Sequence, residues 1–171
     1  MLAKAVFGMA VVGLVVTGIH LTPIAAQTIV VDTPHRARGS GRITHVACVF
    51  NDQTGFLECA VSNGGATLSF DLTQPVGDMA RGGLRLSDSD LGVVVESNAM
   101  VGFIAPSFNV VQANGPCFVT DGLGTTVGTC SFSATDRGEP GSQDAFFLSW
   151  QTAGRFGDGC CQLLSGGTQI E

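Results

Sequence analysis

From Ala66 to Leu72 the chain alternates. Ala66, Leu68, Phe70 and Leu72 share one face of an extended segment, and Thr67, Ser69 and Asp71 share the other. Phe132 and Ala134 alternate in the same way with Ser131, Ser133 and Thr135. A period of two suits a half-buried strand, because successive side chains leave opposite faces. Short runs rich in β-branched and aromatic residues, bounded by Gly, Asn, Asp and Pro, predict further strands. They fall at Thr28–Asp32, Arg42–Phe50, Phe56–Val61, Leu91–Ser97, Val101–Ile104, Phe108–Gln112, Cys117–Thr120, Thr126–Ala134, Ala145–Gln151 and Cys161–Leu164, with Thr168–Glu171 closing the chain. No segment beyond residue 27 carries an amphipathic helical stripe. About a dozen short strands with frequent turn chemistry predict an all-β domain, a sandwich or a barrel.

Two stretches interrupt this rhythm. Pro34–Gly41, with Arg36 and Arg38 and with Arg42 just beyond, reads as part of a flexible Arg- and Gly-rich lead-in spanning residues 27–41. Pro75–Asp90 reads as a long connection or a single helical turn. One domain is then expected over residues 42–171.

The amino terminus has a different character. Lys4 is the only charge before a run of apolar residues from Ala5 to Ile19, followed by Pro23 and small residues up to Ala26. This is the pattern of a secretory signal peptide, residues 1–26, cut after Ala26. The apolar run is shorter than the roughly 20 residues needed to cross a bilayer as a helix. A secreted, periplasmic or cell-surface location follows, with no membrane span once the signal is removed.

Charge narrows the partners. The 171 residues carry a formal net charge of −6, and every Lys or Arg beyond Lys4 is an Arg. No basic stripe exists, so no nucleic-acid partner is expected. Charged residues make up only 13% of the chain, too few for coiled-coil heptads. An extracellular protein or glycan is the expected kind of partner, and the oligomeric state is left open.

In an exported chain the six cysteines imply disulfides. Pairing Asn51 with Phe56 around the intervening loop sets Cys48 opposite Cys59, within bonding reach. Pairing Asp121 with Thr126 likewise sets Cys117 opposite Cys130. Cys160 and Cys161 are adjacent. They form a vicinal bridge, or point to opposite faces and bond separate partners such as Cys48 and Cys117, or stay free or bond another molecule. Without a C-x-x-C pair, a zinc site is not expected.

Catalytic signals are thin. His35 lies in the lead-in and His45 in a predicted strand, where a solvated or structurally hydrogen-bonded role is expected. There is no G-x-S-x-G elbow and no phosphate loop with its Lys, so no catalytic residue and no enzyme activity are assigned. Glu58 and Glu96 are the carboxylates considered for acid–base hydrolysis, the third functional class. Trp150 is expected to pack inside. Asp136, Glu139 and Asp144 lie within a Gly-containing turn, Thr135–Asp144, and could together offer oxygen ligands to calcium. Their alternative role is to hold the turn through backbone amides. Asp88 and Asp90 are expected to be solvated.

That turn also carries a resemblance. TDRGEPGSQD at Thr135–Asp144 resembles the characteristic T-D-x-G-E-P-G-x-x-D element of the post-COAP domain of bacterial secreted proteins. GSGRIT at Gly39–Thr44, NGPCFV at Asn114–Val119 and GGTQIE at Gly166–Glu171 are similar to its opening, middle and closing segments. The resemblance implies an immunoglobulin-like, antiparallel, disulfide-stabilised β-sandwich with no assigned activity. The functional expectation is a secreted, non-catalytic binding or cell-envelope protein, with a calcium-dependent module that binds a glycan or another ligand as the alternative.

Overall fold

The computed structural model describes residues 33–171, apart from 52, 63–64 and 139–142, with the backbone alone over 160–164. The signal peptide and the strand expected at Thr28–Asp32 lie outside the described residues. Among the described residues nine strands follow one another: β1 (His35–Asn51), β2 (Phe56–Val61), β3 (Ala66–Gln74), β4 (Ala80–Asp88), β5 (Val93–Ala105), β6 (Val110–Asp121), β7 (Gly124–Thr135), β8 (Ala145–Thr152) and β9 (Arg155–Ile170). A short 3-10 turn, Pro106–Phe108, links β5 to β6.

Sequential antiparallel pairing runs from β3 to β9, and β9 then pairs with β1 along most of its length. The sheet therefore closes on itself. The immunoglobulin-like sandwich expected above is corrected: the fold is an eight-strand antiparallel barrel made by β1 and β3–β9, with β2 as an added flap.

Strand length explains the difference. Many short strands suit two stacked sheets, but here neighbouring pieces fuse. The lead-in Pro34–Gly41 supplies the first half of β1 from His35 on, and Ala80–Asp88 is strand β4 rather than a loop. The runs predicted at Leu91–Ser97 and Val101–Ile104 join in β5 across an irregularity between Glu96 and Val101. Pro116, which has no amide hydrogen, sits in β6 opposite that irregularity, and its carbonyl accepts from Ser97 Oγ (2.7 Å). Glycines that read as turn formers lie within strands and make room for large inward side chains. Gly157 of β9 lies opposite Trp150, and a Cβ there would meet the indole at 2.4 Å.

The expected alternation holds along each wall. On β3, Ala66, Leu68, Phe70, Leu72 and Gln74 face inward and buried, whereas Thr67, Ser69, Asp71 and Thr73 are exposed. Phe70, Phe132 and Phe146 meet at the centre with ring centroids 4.7–6.0 Å apart. Leu68, Leu86, Val95, Val111, Val119 and Leu148 fill the space around them. Among the described residues no helix is long and apolar enough to cross a membrane.

Two disulfides are formed among the described residues. Cys48–Cys59 joins directly opposed residues in the expected register, with Cα atoms 4.1 Å apart. Cys117–Cys130 also forms, but the β6–β7 hairpin turns two residues tighter than expected, pairing Asp121 with Gly124. That bridge is therefore diagonal, with Cα atoms 5.9 Å apart, and both sulfurs lie in the core. The side chains of Cys160 and Cys161 are not among those described. Their backbones, in β9, pair with Phe147 and Phe146 of β8.

Candidate functional site at the barrel mouth

The β1 strand offers one edge to two partners. β3 pairs with its first half, from His35 to Ile43, and β2 with its second half, from Val46 to Asn51. β4 pairs with β3 and β5, so among the described residues no backbone ladder joins β2 to β4. At this end the barrel wall has a seam.

A buried chain of polar side chains clasps it. His45, fully buried on β1, donates from Nδ1 to Asp88 Oδ2 at the end of β4 (2.7 Å). Trp150 Nε1 of β8 donates to His45 Nε2 (3.2 Å). An indole N–H can only donate, so Nε2 must accept and the single ring hydrogen sits on Nδ1. Ser62, in the β2–β3 link, donates from its amide to the His45 carbonyl (2.9 Å) and from Oγ to Asp88 Oδ1 (3.1 Å). The amides of Asp90 and Leu91 also donate to Oδ1, at 3.0 and 3.1 Å. Burial pushes the Asp88 carboxyl upward, but the His45 bond, the Leu91 amide and the Ser62 hydroxyl outweigh it and hold it below the ordinary carboxylate range. Asp88, expected to be solvated, is instead the best-satisfied carboxylate at this end.

The trio contains the residue types of a hydrolytic triad in a different arrangement. Ser62 bonds the carboxylate, and the ring nitrogen that would activate a nucleophile is occupied by Trp150. As built, the cluster ties together β1, the β2–β3 link, β4 and β8.

Above the Trp150 indole the barrel opens into a mouth of about 500 Å³. Ala47 and Val49 of β1, Ala60 of β2, Leu91 of the β4–β5 turn, Val93 at the start of β5, and Leu123 of the β6–β7 turn supply its apolar lining. Three charged side chains border it: Glu58, Asp121 and Arg155. Arg155 forms an ion pair with Asp121 and also donates to Thr126 Oγ1, and both charged side chains are largely buried. Asp121 is held in place by accepting the Leu123 amide (2.8 Å). A smaller depression of about 380 Å³ lies on the outer wall between Met79, Phe103 and Phe147. Phe132 also lines it, and none of its lining residues is charged.

The other residues singled out from the sequence lie elsewhere. Asp144 is fully buried, and its two oxygens accept the amides of Arg137 (2.8 Å) and Thr168 (2.6 Å). Asp136 accepts the Gly138 amide (2.8 Å) in the same turn. Glu139, the third calcium candidate, lies outside the described residues. Glu96 pairs with Arg85 on the outer wall, whereas Glu58 belongs to the mouth. His35 stands at the start of β1, within 3.5 Å of the Thr33 hydroxyl. Trp150 is buried as expected.

The mouth was not legible in the sequence. Its lining comes from β1, β2, β5, β6, β8, β9 and two turns, with no shared motif. The one available signal was the unique Trp150, an aromatic in an alternating strand. Comparisons with protein-family models, curated proteins and solved structures find no match for this chain.

Proposed function

We propose that this chain is an exported, disulfide-bonded β-barrel that binds a small, largely apolar molecule in its mouth and performs no catalysis. The mouth itself carries the proposal. It is a concave space of about 500 Å³, apolar on most sides, floored by an aromatic ring and bordered by a few fixed polar groups. That combination is typical of small-molecule sites. Eight strands enclose just enough room to be filled by side chains or to hold one small ligand. Here the side chains fill the barrel up to Trp150, and the space above it is open. The hydrogen-bonded saturation of His45 supports a structural rather than a chemical role for that residue. Two disulfides fit an oxidising compartment, in keeping with the expected export.

Trp150 is the only tryptophan, so all tryptophan fluorescence comes from a residue that lines the mouth. Titration with the neutral apolar fluorophore N-phenyl-1-naphthylamine should give saturable binding with quenching of Trp150. Ala60→Phe, which fills the mouth from an exposed position, should abolish it. Absence of saturable binding, or binding indifferent to Ala60→Phe, would refute the reading.

A further inference from the structure

We infer that the preferred ligand of the mouth is a cationic amphiphile, an apolar body bearing a protonated amine, with Glu58 as its charge partner. This inference rests on the mouth being a ligand site and adds the chemical class. The first observation concerns charge balance. Of the three charged groups around the mouth, Arg155 and Asp121 neutralise each other. Glu58 has no cationic partner among the described residues, so the lining carries one uncompensated negative charge.

The second observation is orientation. Glu58 pairs with Val49, and Ala60 pairs with Ala47, so Glu58, Ala60, Ala47 and Val49 share the face of the β1–β2 ribbon that looks into the mouth. Side chains of this ribbon's inner face are otherwise apolar down to Trp150. The carboxylate is also held. Asn51 Nδ2 donates to Glu58 Oε1 (2.7 Å), and Asn51 is itself fixed because its Oδ1 accepts the amides of Gln53 (3.0 Å) and Thr54 (3.2 Å). Such a bond aims the carboxylate without cancelling its charge. An amine bound at Glu58 would place its apolar body over Ala47, Leu91, Val93 and the indole. A net charge of −6 on the chain draws cations in the same direction.

Glu58 has a competing role to consider. β2 pairs only with β1, and an inward-pointing charge on an open edge strand can serve merely to discourage association between molecules.

The experiment separates these roles with three ligands that share one tail: octylammonium, octanol and octanoate. Each displaces N-phenyl-1-naphthylamine from the oxidised protein at low ionic strength and again in 0.5 M salt. The amine should bind up to about fivefold more tightly than the alcohol, and octanoate more weakly than either, as expected for a single solvent-exposed charge pair. The advantage should shrink in salt, which screens exposed charges. Glu58→Gln should make amine and alcohol equal while leaving alcohol affinity and the unfolding midpoint unchanged. Equal binding of amine and alcohol by the unaltered protein would overturn the inference while leaving the mouth as a ligand site. So would a Glu58→Gln variant that self-associates yet keeps the amine preference. If the fluorophore itself fails to bind, the reading of the mouth falls as well.

Discussion

Asp88→Asn tests the clasp across the barrel seam most directly. The substitution keeps the size and shape of the side chain. One oxygen can still accept from Ser62 and from the amides of Asp90 and Leu91. The other position becomes an NH2 group facing His45 Nδ1, which is itself a donor because Trp150 occupies Nε2. Moving the ring hydrogen to Nε2 would relieve that clash only by setting it against the indole N–H. One buried donor is left unpaired either way, at about 1–3 kcal/mol, and a charge-assisted bond worth about 1.5–3 kcal/mol is lost. With partial relaxation the net cost is about 3 kcal/mol, a large share of the roughly 5–15 kcal/mol available to a domain. Urea unfolding followed by circular dichroism should show the midpoint falling by about 1.5 M at a slope near 2 kcal/mol/M. Trp150→Phe frees Nε2 to carry the hydrogen, so in that background Asp88→Asn should cost at least about 1 kcal/mol less. A cost below about 1 kcal/mol in the unaltered background would refute the reasoning. So would an identical cost in both backgrounds.

The acid limb of stability should depend on the same carboxylate. Its folded pKa lies below its unfolded value of about 3.9, so its contribution is whole above that value and is lost as pH falls through the folded one. Thermal midpoints between pH 2 and 5 should drop steeply for the unaltered protein and more gently for Asp88→Asn. Gly157→Ala should push the indole off its seat, since the added Cβ would sit 2.4–2.5 Å from three indole atoms. A loss of about 2–3 kcal/mol and a red-shifted Trp150 emission are expected, and an unchanged spectrum would argue against the close contact. In graded dithiothreitol, Cys48–Cys59, with Cys59 exposed, should open before the core bridge Cys117–Cys130. Alkylation and mass spectrometry would show the order, and opening the hairpin bridge should cost up to about 3 kcal/mol.

Local features were legible because their causes are local. Alternation along β3 and β7 assigns faces to Leu68, Phe70 and Phe132 whatever the rest of the chain does, since a strand's side-chain period is two. The Asn51–Phe56 hairpin set the register that opposes Cys48 and Cys59, and the structure keeps it. The second hairpin shows the limit: a two-residue difference at Gly122–Leu123 moves Cys130 from opposite Cys117 to a diagonal position, yet the bridge still forms. Glycine was the main source of misreading. Its turn-forming and space-making roles look alike in sequence, and only the presence of Trp150 across from Gly157 shows which one applies.

By itself, then, the sequence determined that the chain is built of strands, which faces of them are apolar, and that hairpin pairing could bring Cys48 to Cys59 and Cys117 to Cys130; the structure decided that these bridges form. Tertiary structure decided that the sheet closes, because closure depends on β1 meeting β9 across more than a hundred intervening residues. It also decided that Asp88 is buried rather than solvated, because its partners His45 and Ser62 come from other elements. Glu58 faces an apolar mouth for the same reason: β2 takes over the edge of β1 where β3 leaves it, and turns its inner face toward Trp150. Strand faces follow from the backbone period, but barrel closure and the mouth it leaves open are properties of contacts distant in the chain.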